Sequence, residues 1–247
     1  MTTSKTALVT GGSRGIGRAI ALRLGRDGAR VAVHYGSNAD AAKETVAAIE
    51  AAGGEAFSLQ AELGVEGDAE ALWAAFDAQA DGLDILVNNA GTTGNQAVLA
   101  KATRENFDRV FALNAKALHF VTQLGLARLR DGGRIINLSS MLSRGQAMPN
   151  TSIYAMSKGA VDSLTIVLAK ELAPRGITVN TVSPGVIDTE IHEGRLVGAA
   201  LDWVASLSSM GRIGTPEDVA DAVAFLVSED SRWITGHWLD TSGGSLL

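Results

Sequence analysis

Tyr154 and Lys158 stand four residues apart in the stretch Tyr154-Ala155-Met156-Ser157-Lys158. On an α-helix, positions i and i+4 share a face one turn apart, so a phenol and an ammonium at this spacing reach into one space. A free tyrosine hydroxyl titrates near pH ~10, too high for a base at neutral pH. A fixed cation beside it stabilises the phenolate and lowers that value, which makes Tyr154 a candidate general acid or base. Alone, such a spacing is more often a half-buried ring beside a solvated charge. Redox or acyl chemistry at the pair requires a cofactor, a partner for the substrate oxygen, and a pocket.

The pair opens a helix over residues 152–173, capped at Thr151 or Ser152 and stopped by Pro174. Around it, short apolar runs at 6–10, 31–35, 55–60, 83–87, 133–138, 178–183 and 237–240 read as strands. Helical stretches intervene at 16–27, 39–52, 66–79, 103–130 (read as one long helix) and 216–227. The last of these has Thr215 at the cap, Pro216 at its first position and acids in its first turn. Alternating elements with strands apolar throughout predict a Rossmann-type α/β fold: a doubly wound sheet of seven parallel strands with helices on both faces, in a single domain over 1–247. Residues 189–214 interrupt the alternation. Their apolar content, Trp203 and Val204 included, suits a substrate lid.

Composition narrows the function. A net charge of −6 argues against nucleic acid or an anionic membrane as partner. The absence of cysteine excludes disulfides and thiolate metal sites. His34, His119, His192 and His237 have no metal-ligand spacing, so no catalytic metal is expected. No secretory h-region or bilayer-length apolar run occurs, so a cytoplasmic protein is the expectation.

The first strand runs into Gly11-Gly12-Ser13-Arg14-Gly15-Ile16-Gly17. Glycines between a strand and a helix let a diphosphate approach the backbone N–H groups of the helix start. Gly11, Ser13, Gly15, Ile16 and Gly17 are therefore cofactor-binding candidates. An enzyme that selects the ribose 2′-hydroxyl usually carries an acid at the end of the second strand. Here Val33-His34-Tyr35-Gly36-Ser37-Asn38 has none. Arg14, Ser37 and Asn38, beside Tyr35, suit a 2′-phosphate instead, which favours NADP(H) over NAD(H).

With Asn88-Asn89-Ala90-Gly91, Asn114, Ser140 and Pro184-Gly185 added to these motifs, the chain resembles the short-chain dehydrogenase/reductase family, in the family's order and over nearly its whole length. Its nearest subgroup is similar to NADPH-dependent carbonyl and beta-ketoacyl reductases. The resemblance implies that Tyr154 is the proton donor, that Lys158 lowers its pKa and holds the nicotinamide ribose, and that Ser140 bonds the substrate oxygen. It implies that Asn114 holds a water in a proton relay from Lys158. It places Asn88, Ala90 and Gly91 at the adenosine ribose, Glu62 and Leu63 near the adenine, and Pro184, Gly185, Ile187 and Thr189 at the nicotinamide. Thirteen residues separate Ser140 from Tyr154, one more than in many relatives, so Ser139 is an alternative for the oxyanion role.

The expected reaction is NADPH-dependent reduction of a ketone or keto ester to a secondary alcohol, in a mainly apolar pocket that includes Met141, Gln146, Met148, Ile191 and Trp203. A beta-ketoacyl-carrier-protein reductase and a non-enzymatic NADP-binding regulator are the alternatives. The carrier would contact Arg128, Arg130 or Arg144. The resemblance also implies a homotetramer, paired through the long helices.

Overall fold

A computed structural model describes residues 5–145, 148–189 and 198–245. Seven strands, Thr6–Val9 (β1), Arg30–Tyr35 (β2), Glu55–Gln60 (β3), Leu83–Asn88 (β4), Leu129–Leu138 (β5), Thr178–Pro184 (β6) and Trp238–Thr241 (β7), form one sheet in the order β3-β2-β1-β4-β5-β6-β7. Every pairing is parallel. The direction of winding changes between β1 and β4, so a crevice opens at the carboxyl ends of those two strands.

Gly15–Arg26 (α1), Ala39–Ala51 (α2) and Pro216–Val227 (α8) cover one face of the sheet. Asp68–Asp77 (α3), Leu118–Gly125 (α5) and Ser152–Leu172 (α6) cover the other. Alternation within β1 divides its side chains between the two cores: Ala7 and Val9 pack with Ile20 and Val223, while Leu8 packs with Leu72 and Trp73. Both cores are apolar, the second with Phe57, Trp73 and Phe76 among its aliphatic side chains, which fixes strand register because a one-residue slip would exchange the faces.

The expected single helix over 103–130 is broken in three. Arg104–Phe111 (α4) passes into a π-helical turn at Ala112–Ala117, then α5, and β5 already begins at Leu129. The π turn contains no glycine or proline, so nothing in its composition announces the change. In the last turn of α5, a Cβ on Gly125 would lie 2.6 Å from the Trp73 indole, so the glycine is what lets this helix approach α3 so closely. The early start of β5 shows as a register shift: Leu83 pairs with Leu129, but Ile85 pairs with Arg134. Helix α3 begins two residues late because Gly67, with φ of +77°, is its N-cap, and Asp68 at the first helical position accepts from the Gly64 and Ala69 N–H groups at 2.8 and 2.7 Å. Within the lid region, Ala199–Ser206 forms a short helix (α7) and Ile187 bridges to Gly214. Residues 190–197 of the expected lid lie outside the described residues. No helix among the described residues is long and apolar enough to cross a membrane.

Candidate active site

Helix α6 begins after Thr151, whose hydroxyl donates to the Met148 carbonyl at 2.8 Å rather than capping the helix. Its first two turns carry Tyr154, Ser157 and Lys158. Lys158 is buried, with Nζ 5.8 Å from the centroid of the Tyr154 ring, and it donates to the Leu138 carbonyl at 2.7 Å. The end of β5 thus holds the ammonium while α6 presents the phenol.

Ser139 and Ser140 follow β5 and point in different directions. Ser139 Oγ donates to the Lys158 carbonyl at 3.3 Å and so ties the turn to the α6 backbone. Ser140 Oγ accepts from the Leu142 N–H at 3.2 Å, which leaves its proton to donate, and its hydroxyl acts on the Tyr154 phenol so as to lower its pKa. Only Ser140 is on the Tyr154 side of this turn.

The electrostatics differ from the expectation. Burial pushes the Tyr154 phenol up, with the Ser140 hydroxyl pulling it part of the way back. Lys158 does not lower it in this geometry, because the ammonium is turned to the Leu138 carbonyl. Burial also lowers Lys158 itself to about 8, against an opposing pull from Asp162.

Asn114 lies in the π turn, fully buried. Its Oδ1 accepts from the Thr92 N–H at 2.8 Å, and its Nδ2 donates to the Thr92 carbonyl at 2.9 Å and to Ser157 Oγ at 3.0 Å. Both amide hydrogens are therefore spent on holding the loop after β4 against α6. Gly91 sits where these elements meet. A Cβ there would come within 3.2 Å of Asn114 Oδ1 and 3.5 Å of Lys158 Nζ.

The glycine turn after β1 is shaped by residues that sequence reasoning passed over. Gly11 and Gly15 have φ of +63° and +51°, conformations that disfavour any side chain. Gly17 is held against the turn itself: a Cβ would overlap the Gly11 carbonyl and lie 2.5 Å from Asn89 Nδ2. Asn89 donates to the Thr10 carbonyl at 2.8 Å and to the Gly11 carbonyl at 3.2 Å, and Thr10 Oγ1 accepts from the Asn89 and Ala90 N–H groups. His34, buried at the end of β2, accepts from the Gly11 N–H through Nδ1 at 3.0 Å. A polar residue ending the buried run Val31-Ala32-Val33 was the available signal for it.

No side chain caps α1, and its first turn has no acid. Its N–H groups and positive dipole end thus face the crevice beside Ser13, Gly15, Ile16 and an exposed Arg14, an arrangement that fits a diphosphate. Thr189, from the loop after Pro184 and Gly185, faces the same turn, its Cγ2 3.4 Å from a Cβ built on Gly15. Ser37 is exposed beside half-buried Tyr35. The Asn38 Oδ1 caps α2, accepting from the Ala41 N–H at 3.0 Å, so its oxygen is already engaged.

Other expected contacts are redistributed. The Asn88 side chain is turned into the sheet, where Nδ2 donates to Thr122 Oγ1 and Asn137 Oδ1, both at 2.9 Å, so a ribose would meet only its backbone. Leu63 packs against the α3–α5 core, and Ile187 is buried in the α1–α8 core. Glu62 is exposed and Ala90 half-buried. Among the substrate candidates Met141 is buried, Met148 is half-buried and Trp203 is exposed. Gln146 and Ile191 lie outside the described residues.

A family model described as enoyl-(acyl carrier protein) reductase matches residues 11–245. A short chain dehydrogenase/reductase of Aspergillus novofumigatus, nsrJ, is 39% identical over 98% of this chain and 95% of its own. The chain belongs to the short-chain dehydrogenase/reductase family. Two solved members of the family share more of its sequence. LugOII, a promiscuous reductase that catalyses keto-reduction at C1 during lugdunomycin biosynthesis, is 48% identical with a TM-score of 0.92, covering 99% of both chains. LanV, an angucycline C-6 ketoreductase with bound NADP, is 48% identical with a TM-score of 0.93, covering 98% of this chain and 95% of its own. LanV is also solved with NADP and rabelomycin together.

Proposed function

We propose that this chain reduces a ketone or keto ester to a secondary alcohol, with Tyr154 delivering the proton to the oxygen. It is an NADP-dependent oxidoreductase of the short-chain family. The observation that carries the reading is the placing of Tyr154 beside the buried Lys158 ammonium, 5.8 Å from ring centroid to Nζ, with the Ser140 hydroxyl acting on the phenol at the crevice that the glycine turn opens. The bare α1 N-terminus and the Gly11–Gly15–Gly17 cradle fit the diphosphate, with Arg14 and Ser37 at the 2′-phosphate. NADPH, when bound, supplies the hydride.

The residues of the chain manage the oxygen. Ser140 turns its hydroxyl proton to the carbonyl oxygen as negative charge grows there. Tyr154 then protonates that oxygen, and a phenol pushed up by burial is held in the acid form that reduction needs. Lys158 holds the ribose hydroxyls with an ammonium that Leu138 keeps in place. Any relay water at Asn114 would be held by its main chain, since the side chain is fully engaged.

Tyr154→Phe tests the assignment. A loss of ~100-fold or more in kcat with NADPH affinity retained is expected, the range general acid catalysis provides; normal turnover overturns it. Against the carrier-protein alternative, the arginines available to an acyl carrier already have carboxylate partners: Arg128 pairs with Asp77, Arg130 with Asp84 and Arg144 with Asp162. A higher kcat/KM on a simple keto ester than on a beta-ketoacyl carrier separates the two. We further propose a homotetramer, because Phe107 and Phe120 on α4 and α5 and Ile166 and Val167 on α6 leave apolar faces uncovered. A light-scattering mass near the monomer value would contradict it.

A further inference from the structure

Asp162 lies one turn beyond Lys158 on α6, buried to 5% exposure, and neither carboxylate oxygen accepts a hydrogen bond among the described residues. Its one ionic partner there is Arg144, whose Nε is 3.4 Å from Oδ2 while the rest of its side chain is 44% exposed. Arg144 closes the turn that begins at Ser140, and its guanidinium also lies over the Trp238 ring of β7 at 5.2 Å. A buried carboxylate without hydrogen bonds costs stability that an apolar residue at the same place would not. Its presence calls for a reason other than packing.

We propose that Asp162 and Arg144 are positioning residues of the ketone-reducing site: the carboxylate keeps Lys158 an ammonium, and the guanidinium fastens the Ser140 turn to the catalytic helix. This rests on the roles of Ser140 and Lys158 proposed above. Among the described residues, the surroundings of Lys158 offer no other charge to do this. The end of β5 contributes the Leu138 carbonyl, the loop after β4 contributes Gly91, and the π turn contributes Asn114, all neutral. Tyr154 faces it as a neutral phenol. Strand β6 carries no charged residue, and Arg104, Glu105, Asp108, Arg109 and Lys116 on α4 and the π turn are exposed. The same turn is fixed twice more, through Ser139 to the Lys158 carbonyl and through Ser143 Oγ to the Ser140 carbonyl at 2.8 Å, so Arg144 completes a clasp already partly built.

The two halves of the clasp act on Lys158 in opposite senses, which gives the test. Asp162→Asn removes the negative charge, and the pH above which NADPH affinity falls is expected to drop by about one unit. Arg144→Gln removes the compensating positive charge, and the same limb is expected to rise. Affinity is measured by NADPH fluorescence across pH 6 to 10 on the whole protein, with ketone turnover measured in parallel. Both variants should also lower kcat several-fold, with the KM for NADPH at neutral pH little changed. Arg144 is half-exposed, so Arg144→Gln reports even if Asp162→Asn does not fold. Limbs that stay at the wild-type pH, or move in the same direction, overturn the clasp. Failure of the wild type to reduce any ketone would sink the reductase reading instead, while the NADPH-binding limbs would still judge the clasp.

Discussion

The imidazole of His34 accepts a hydrogen bond from the Gly11 N–H at 3.0 Å, while its Nε2 donates to the Ala61 carbonyl at 3.0 Å. The two bonds tie the first residue of the cofactor turn to the end of β3 through a neutral ring of one tautomer. Burial holds the group down at about 4, well below the free value. A protonated ring could not accept from Gly11, so acid acts on the cofactor turn directly.

The sign follows from where the protons go. The unfolded chain takes up a proton at His34 as pH falls through 6.5, whereas the folded protein resists until about 4. Folding is therefore favoured above 6.5 and weakened progressively between 6.5 and 4, by up to about 3 kcal/mol. Urea midpoints of wild type and His34→Phe compared across that window should converge as pH falls, since the variant lacks this term. At neutral pH His34→Phe should weaken NADPH binding by roughly tenfold, because the half-buried Gly11 N–H is left without its acceptor. Equal NADPH affinity in the two proteins would mean that the turn holds its shape without His34.

The sheet was readable because its signals are local: each strand is a short apolar run and each helix has caps or stops, such as Thr215-Pro216 and Gly53-Gly54. The Tyr154/Lys158 and Gly11/Gly15/Gly17 spacings are local as well. What escaped depends on contacts distant in sequence. Gly125 is glycine because Trp73 of another helix lies against it, and the π turn serves Asn114, which reaches back to Thr92. Asn89 rather than Asn88 braces the glycine turn, and adjacent identical residues give no sequence signal for which one faces inward. The direction of the Tyr154 shift was missed for a related reason. Helical spacing places the lysine nearby but does not say that the Leu138 carbonyl captures it.

Gly17→Ala should damage the cofactor site more than a glycine-to-alanine exchange in a helix ordinarily would. Helix propensity alone would gain up to about 1 kcal/mol from alanine. Here the new methyl meets the Gly11 carbonyl, which is backbone and cannot rotate away. The expected result is a loss of NADPH affinity of at least ~10-fold, read by fluorescence titration, with α1 moved off the turn. An affinity equal to wild type would show that the helix shifts without cost.

Cofactor choice should rest on charge at the end of β2. Ser37→Asp places a carboxylate where a 2′-phosphate would lie and is expected to lower the ratio of kcat/KM for NADPH over NADH by on the order of 10-fold or more. Arg14→Ala should weaken NADPH more than NADH, since a charge-assisted bond to phosphate contributes about 1.5–3 kcal/mol. Asn38→Asp should matter less for this ratio, because the side chain already caps α2 through Oδ1. An unchanged ratio in both Ser37→Asp and Arg14→Ala would move the selectivity elsewhere.

Lys158 separates function from stability at alkaline pH. With its folded value lowered to about 8, the ammonium is lost as pH rises through that point, and NADPH affinity and turnover should fall together. The folding contribution runs the other way. Between about 8 and the free value of 10.5 the unfolded chain holds the proton that the folded protein has released, so this group makes folding more favourable as pH rises, by at most about 3 kcal/mol. Activity lost near pH 9 should therefore be recovered at once on return to neutral pH, with no drop in urea midpoint attributable to Lys158. Lys158→Met removes both effects: its stability should exceed that of wild type by most at neutral pH, where the buried ammonium costs most, and the gap should close toward pH 10. A midpoint difference that stays constant from pH 7 to 10 would mean that the lysine is not desolvated as its burial beside Leu138 and Asn114 implies.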